Sequence, residues 1–170
     1  KERFGDRLTL VSEKDSGIYN AIIKGLALVK GELVGIINSD DEYGARLISN
    51  IPCRCISVGT KEVDLKAENR EIDALGVRFD VRAFGETYPV QLGISGMFSV
   101  YNALCAAGAA YALGIDLNTI CAGLKSANGV KGRLERVPTD TDYSVIIDYA
   151  HTPDGLENVL NAVNSFKKGR

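Results

Sequence analysis

Two adjacent carboxylates, Asp40 and Asp41, follow closely on the apolar run Leu33-Val34-Gly35-Ile36-Ile37. A continuous apolar run of that length suits a parallel strand covered on both faces. Open α/β sheets place ligands beyond the C-terminal ends of such strands. Carboxylates there have two uses. They hold a hard cation against phosphate oxygens, or they cap the helix that follows, expected over Glu42–Ser49. A second polar set, Asp148-Tyr149-Ala150-His151-Thr152-Pro153, follows the apolar run Tyr143-Ser144-Val145-Ile146-Ile147. His151 is the sole histidine, and the cysteines are Cys53, Cys55, Cys105 and Cys121. Their spacing matches no zinc pattern. The thiols read as small hydrophobes of a reducing compartment.

These residues need elements to position them. Ile18, Ala21, Ile22, Leu26 and Val29 recur with a helical period, which predicts a helix over Ser16–Lys30, capped by Asp15 or Ser16 and stopped by Gly31. Leu8–Val11 reads as a short strand before it, and Cys53–Val58 as a strand after the acidic pair. From Val63 to Leu92 the alternation of Val77-Arg78-Phe79-Asp80-Val81-Arg82 predicts antiparallel strands with one wet face. Two helices are expected at Tyr101–Leu113, ended by Gly114, and at Leu117–Ser126, capped by Asp116. Tyr143–Ile147 reads as a buried strand and Asp154–Lys167 as a helix with Pro153 in its first turn. The polar stretch Pro138–Asp142 is the expected domain boundary. The fold class is α/β: a parallel sheet with helices plus an antiparallel excursion, then the start of a second α/β domain.

The chain has 170 residues, 45% hydrophobic and 25% charged, with a net charge of −2. That composition belongs to a globular protein. It supplies no basic excess to neutralise phosphates, so nucleic acid is not an expected partner. No apolar run reaches the ~20 residues that span a bilayer. The first residues carry no signal-peptide core, so a cytoplasmic location and no membrane partner are expected.

Four segments, in order, resemble the Mur ligase family: Asn38-Ser39-Asp40-Asp41-Glu42-Tyr43-Gly44; Gly96-Met97-Phe98-Ser99-Val100-Tyr101-Asn102-Ala103-Leu104; Gly129-Val130-Lys131-Gly132-Arg133-Leu134-Glu135-Arg136-Val137; and Ile147-Asp148-Tyr149-Ala150-His151-Thr152-Pro153-Asp154. The resemblance implies the C-terminal part of a central ATPase domain over residues 38–137 and the start of a C-terminal domain over 138–170. It is closest to the branch that adds an amino acid to UDP-N-acetylmuramoyl-L-alanyl-D-glutamate, with ATP and Mg2+ as cofactors and small-molecule substrates as partners. It implies nucleotide-binding roles for four residues. Asn102 would hydrogen-bond adenine, its amide both donating and accepting. Arg133 would reach the phosphates. Asp148 and His151 would close on the nucleotide from the C-terminal domain. Plainer roles for the same residues are a helix cap for Asn102, a solvated loop charge for Arg133 and a packed imidazole for His151. Two departures stand out. Ser99 occupies a position usually held by Asn in the family. The phosphate loop Gly-x-x-x-x-Gly-Lys-Ser/Thr does not occur in these 170 residues.

Residues 1–41, through Ser12-Glu13-Lys14-Asp15-Ser16-Gly17 and Leu33–Asp41, also resemble a family 2 glycosyltransferase. That resemblance implies a metal and nucleotide-sugar site at Asp40 and Asp41. The two resemblances overlap at Asn38–Asp41, which implies a chain joined from two sources. A further reading is a recombined fragment without catalytic activity.

Overall fold

The structure, a computed structural model, describes residues 32–127 and 129–167, together with Ile22, Lys24, Gly25 and Ala27. The strand expected at Leu8–Val11 lies outside the described residues. Of the helix expected at Ser16–Lys30, only Ile22, Lys24, Gly25 and Ala27 are described, the first three in helical conformation.

β1 (Val34–Asn38) leads through Asp40 and Asp41 into the short helix α1 (Glu42–Ile48), and the chain returns as β2 (Arg54–Gly59). β1 and β2 pair in parallel, with Val34 opposite Arg54 and Asn38 opposite Val58. β3 (Leu65–Asp73) adds a short parallel pairing with β2 at Val58–Leu65 and Gly59–Lys66. The sheet then turns antiparallel through β4 (Gly76–Ala83) and β5 (Glu86–Leu92), giving the order β1-β2-β3-β4-β5. The α/β class and the antiparallel excursion both hold.

β1 departs from expectation. It stands at one edge of the described sheet and is half-buried along its length. An apolar run does not by itself distinguish a central strand from an edge strand with one well-covered face.

The core lies between the sheet and α2 (Met97–Ala112), where Val58, Leu65, Val77 and Val81 meet Val100 and Leu104. Gly108 permits this approach: a Cβ there would come within 2.8 Å of Ile36 Cγ2. Helix α2 begins four residues before the expected start at Tyr101, with Gly96 at its N-cap and Ser99 buried in its first turn. Ser99 Oγ donates to Ser95 O at 2.8 Å, and Ser95 Oγ to Asp73 O. The first bond is local, and the second ties an opening turn of modest intrinsic helix propensity to the end of β3. α3 (Leu117–Lys125) packs on β5, its N-terminus capped by Asp116 as the sequence predicts.

Beyond α3, β6 (Glu135–Val137) and β7 (Val145–Ile147) form an antiparallel pair, and α4 (Pro153–Phe166) follows with Thr152 as its N-cap. β7 is shorter and more open than the buried strand expected at Tyr143–Ile147. Val145 is 37% and Ile147 48% exposed, because β7 has a single strand neighbour. The four cysteines are free.

Candidate functional site

Two groups of side chains gather the residues singled out above. The first centres on Asp40, one residue past the β1–β2 pairing that Ser39 N extends by donating to Val58 O at 3.0 Å. Asp40 Oδ2 accepts from Thr60 N at 2.7 Å and from the Tyr101 hydroxyl at 3.1 Å. The carboxylate therefore ties the ends of β1 and β2 to helix α2. Its Oδ1 is buried without a hydrogen-bond partner and faces Gly59, where a Cβ would come within 2.9 Å. Burial acts to raise the Asp40 pKa. The Thr60 hydrogen bonds, the Tyr101 hydroxyl and the charge of Lys61 together outweigh burial, leaving it below the ordinary aspartate value. Tyr101 is shifted the opposite way, upward, by burial and by its bond to Asp40.

Asp41 caps α1, its Oδ1 accepting from Tyr43 N at 2.9 Å and Gly44 N at 3.1 Å. Of the two uses open to the acidic pair, capping is thus what this carboxylate does here. Among the described residues, no group of three His, Cys, Asp or Glu side chains converges to hold a metal ion. Asn102 is exposed on the second turn of α2, next to Tyr101. It does not open the helix, so the cap reading for Asn102 falls away.

The second group forms around Tyr149. Arg133, Asp148 and His151, separated in sequence by the β6–β7 hairpin, come together there. The Arg133 guanidinium carbon lies 5.6 Å from the Tyr149 ring centroid, a cation–π distance. The His151 ring meets the Tyr149 ring edge-on at 5.0 Å, and its Nδ1 lies 2.9 Å from Tyr149 O. Asp148 turns both carboxylate oxygens to backbone: Oδ2 accepts from Leu134 N at 2.8 Å and Oδ1 from Ala150 N at 2.7 Å. Tyr149 N donates to Gly132 O at 2.9 Å. Arg133 and His151 are exposed, and so is Tyr149 at 67%. An exposed guanidinium, imidazole and aromatic ring on one surface can take an anion and a flat ring together.

Arg133 sits between two left-handed residues, Gly132 at φ 73° and Leu134 at φ 43°. For a bulky residue such as Leu134 that conformation costs about 1–3 kcal/mol. Its side chain is nonetheless buried, at 7% exposure, so packing offsets part of the strain.

Sequence reasoning missed Tyr101, Thr60, Glu135 and Tyr149 as site residues. Tyr101, Glu135 and Tyr149 stand inside the quoted motifs and were legible there. Thr60 meets Asp40 from the far end of β2, a pairing that nothing beside either residue in the sequence signals.

Known proteins resemble this chain in sequence and in fold. The Mur ligase middle domain model matches residues 18–110, and the model named Mur ligase, glutamate ligase domain matches residues 132–170. The chain belongs to the Mur ligase family. The UDP-N-acetylmuramoyl-L-alanyl-D-glutamate–2,6-diaminopimelate ligase of Halalkalibacterium halodurans is 42% identical over 137 residues, covering 80% of this chain and 28% of that protein. The ligase of the same name from Clostridium botulinum is 43% identical over 148 residues, covering 85% of this chain and 31% of that protein. This chain thus spans about a third of the length of these relatives. In fold it is similar to a crystal structure of MurF from Acinetobacter baumannii, with a TM-score of 0.75 and 24% identity over 85% of this chain and 32% of that one.

The middle-domain match corrects one expectation. It begins at residue 18 and crosses Asn38–Asp41, so residues 18–41 belong to the Mur ligase family rather than to a glycosyltransferase. The implied join at Asn38–Asp41 loses its basis, and so does the metal role of Asp40 and Asp41 that rested on it.

Proposed function

We propose that this chain supplies nucleotide-binding parts of an ATP-dependent ligase that adds an amino acid to UDP-N-acetylmuramoyl-L-alanyl-D-glutamate in peptidoglycan precursor synthesis. The names of the relatives favour 2,6-diaminopimelate as that amino acid. In such a reaction a substrate carboxylate oxygen attacks the γ-phosphorus of ATP, and ADP leaves. The amine then attacks the acyl carbon, and phosphate leaves. Asn102 is assigned to adenine, Arg133 to the phosphates, and Asp148 and His151 to the side of the site contributed by the C-terminal part. The division between the two parts falls between α3 and β6. Pro138–Asp142 closes the β6–β7 hairpin, and paired strands move together.

The observation that carries this reading is the meeting of Arg133 and His151 on the Tyr149 ring, with Asp148 Oδ2 accepting from Leu134 N across the same hairpin. Titration of the chain with ATP and with adenosine tests it. Arg133→Ala should weaken ATP binding by about tenfold, the cost of one charged hydrogen bond, and leave adenosine unchanged. Asn102→Ala should weaken both. ATP binding that survives both substitutions unchanged would show these assignments to be wrong.

A further inference from the structure

The turn that carries Arg133 is held more tightly than a solvated loop charge requires. Its two left-handed residues, Gly132 and Leu134, flank the arginine directly. A carboxylate secures each of them. Glu135 Oε2 accepts from Gly132 N at 2.7 Å, and Asp148 Oδ2 accepts from Leu134 N at 2.8 Å. Tyr149 N closes the same turn through Gly132 O, and its ring lies beneath the guanidinium. Left-handed backbone at a bulky residue persists only where its surroundings over-determine it, and these bonds are that over-determination. Both carboxylates turn acceptor oxygens toward backbone N–H groups instead of toward the exposed guanidinium. They fix the arginine without neutralising it.

We propose that Glu135 and Asp148 are positioning residues for Arg133. Their carboxylates fix the turn, and the Tyr149 ring then aims the guanidinium at the place where a nucleotide phosphate arrives. Ordering the arginine before binding removes part of the entropy cost that a loose side chain pays on contact. The phosphate end of this inference rests on the assignment of Arg133 made above. The positioning end rests on the geometry of the turn.

The two ends are tested separately on the same chain. The Arg133 Nε–Hε NMR resonance, assigned by its loss in Arg133→Lys, reports on the ring. It should be displaced in the parent and move to its unperturbed position in Tyr149→Leu. In Glu135→Gln and Asp148→Asn it should move toward the Tyr149→Leu position, while the Asn102 amide resonance stays in place as a check on the fold of α2. If Asp148→Asn does not fold, Glu135→Gln decides alone, since it leaves both Asp148 bonds intact. An Arg133 resonance that stays fixed in the folded variants overturns the inference. In ATP titrations the same variants should lose a similar factor to Arg133→Ala, about tenfold, with adenosine unaffected. Loss of adenosine affinity in Asp148→Asn would instead show that Asp148 touches the nucleoside itself. If Arg133→Ala leaves ATP affinity unchanged while the resonance still moves, the nucleotide assignment fails and the positioning of the arginine stands.

Discussion

Asp40 shows how one carboxylate can be spent on architecture at a place where sequence suggests chemistry. It joins β1, β2 and α2 through Thr60 N and the Tyr101 hydroxyl. Asp40→Asn puts an amide where a charged acceptor served two donors, and is expected to cost about 1–3 kcal/mol in urea unfolding. Tyr101→Phe, which removes one neutral donor, should cost less, about 0.5–1.5 kcal/mol. The pH dependence follows from the depressed pKa. Stability from Asp40 is present above its unfolded value, near 3.8, and is lost as pH falls through the lower folded value. The gap in unfolding midpoint between parent and Asp40→Asn should be constant near neutrality and shrink below about pH 3.8. A gap that widens in acid would contradict the assignment.

Among the elements, α2 makes the densest contact with the sheet, and its glycine decides how close it lies. Gly108→Ala brings a Cβ to 2.8 Å from Ile36 Cγ2, an atom on the branched carbon with little room to give. Overpacking of that kind costs about 1–3 kcal/mol, against a gain of about 1 kcal/mol in helix propensity. The expected net effect is destabilisation. Gly123 on α3 has open space where its Cβ would stand. Gly123→Ala should therefore stabilise, by up to about 1 kcal/mol. Opposite signs in thermal or urea unfolding would confirm that contact rather than propensity governs Gly108.

At the scale of the whole molecule, stability is unevenly shared. The five-stranded sheet holds its core under α2 and α3. The region after α3 has a two-stranded ladder and a helix without a fully buried residue, with Leu156 48% and Leu160 61% exposed. Local opening should be easier there, so backbone amides of α4 should exchange faster with solvent than those of α2. Equal protection in the two helices would argue against this division. The same scale sets the expectation for activity. These 170 residues contain no phosphate-loop sequence, the backbone cradle that binds β- and γ-phosphates. This chain by itself should release no phosphate from ATP above background when given amine and UDP-muramoyl dipeptide. Substrate-dependent turnover would overturn that expectation.

Local chemistry made much of this protein readable in its sequence. Period-2 alternation gave the antiparallel strands β3 to β5, and Asp116 and Pro153 marked two helix starts, because patterning and capping act within a few residues. The ordered motifs gave the family for the same reason: Asn38–Asp41, Gly96–Leu104 and Gly129–Val137 are each contiguous in the chain. The residues that meet across the fold were not readable. Nothing adjacent to Asp40 indicates that its partners are Thr60 and Tyr101, or adjacent to Ser95 that it bonds to Asp73 O just before α2 opens. The exposure of β1 and β7 depended on how many neighbours each strand found, which an apolar run cannot encode. Tyr149 became the centre of a candidate site only when the β6–β7 hairpin brought Arg133 against it. Periodicity and capping are short-range and leave their mark in residue type. Pairing, burial and backbone strain arise between distant segments, so only the tertiary structure decides them.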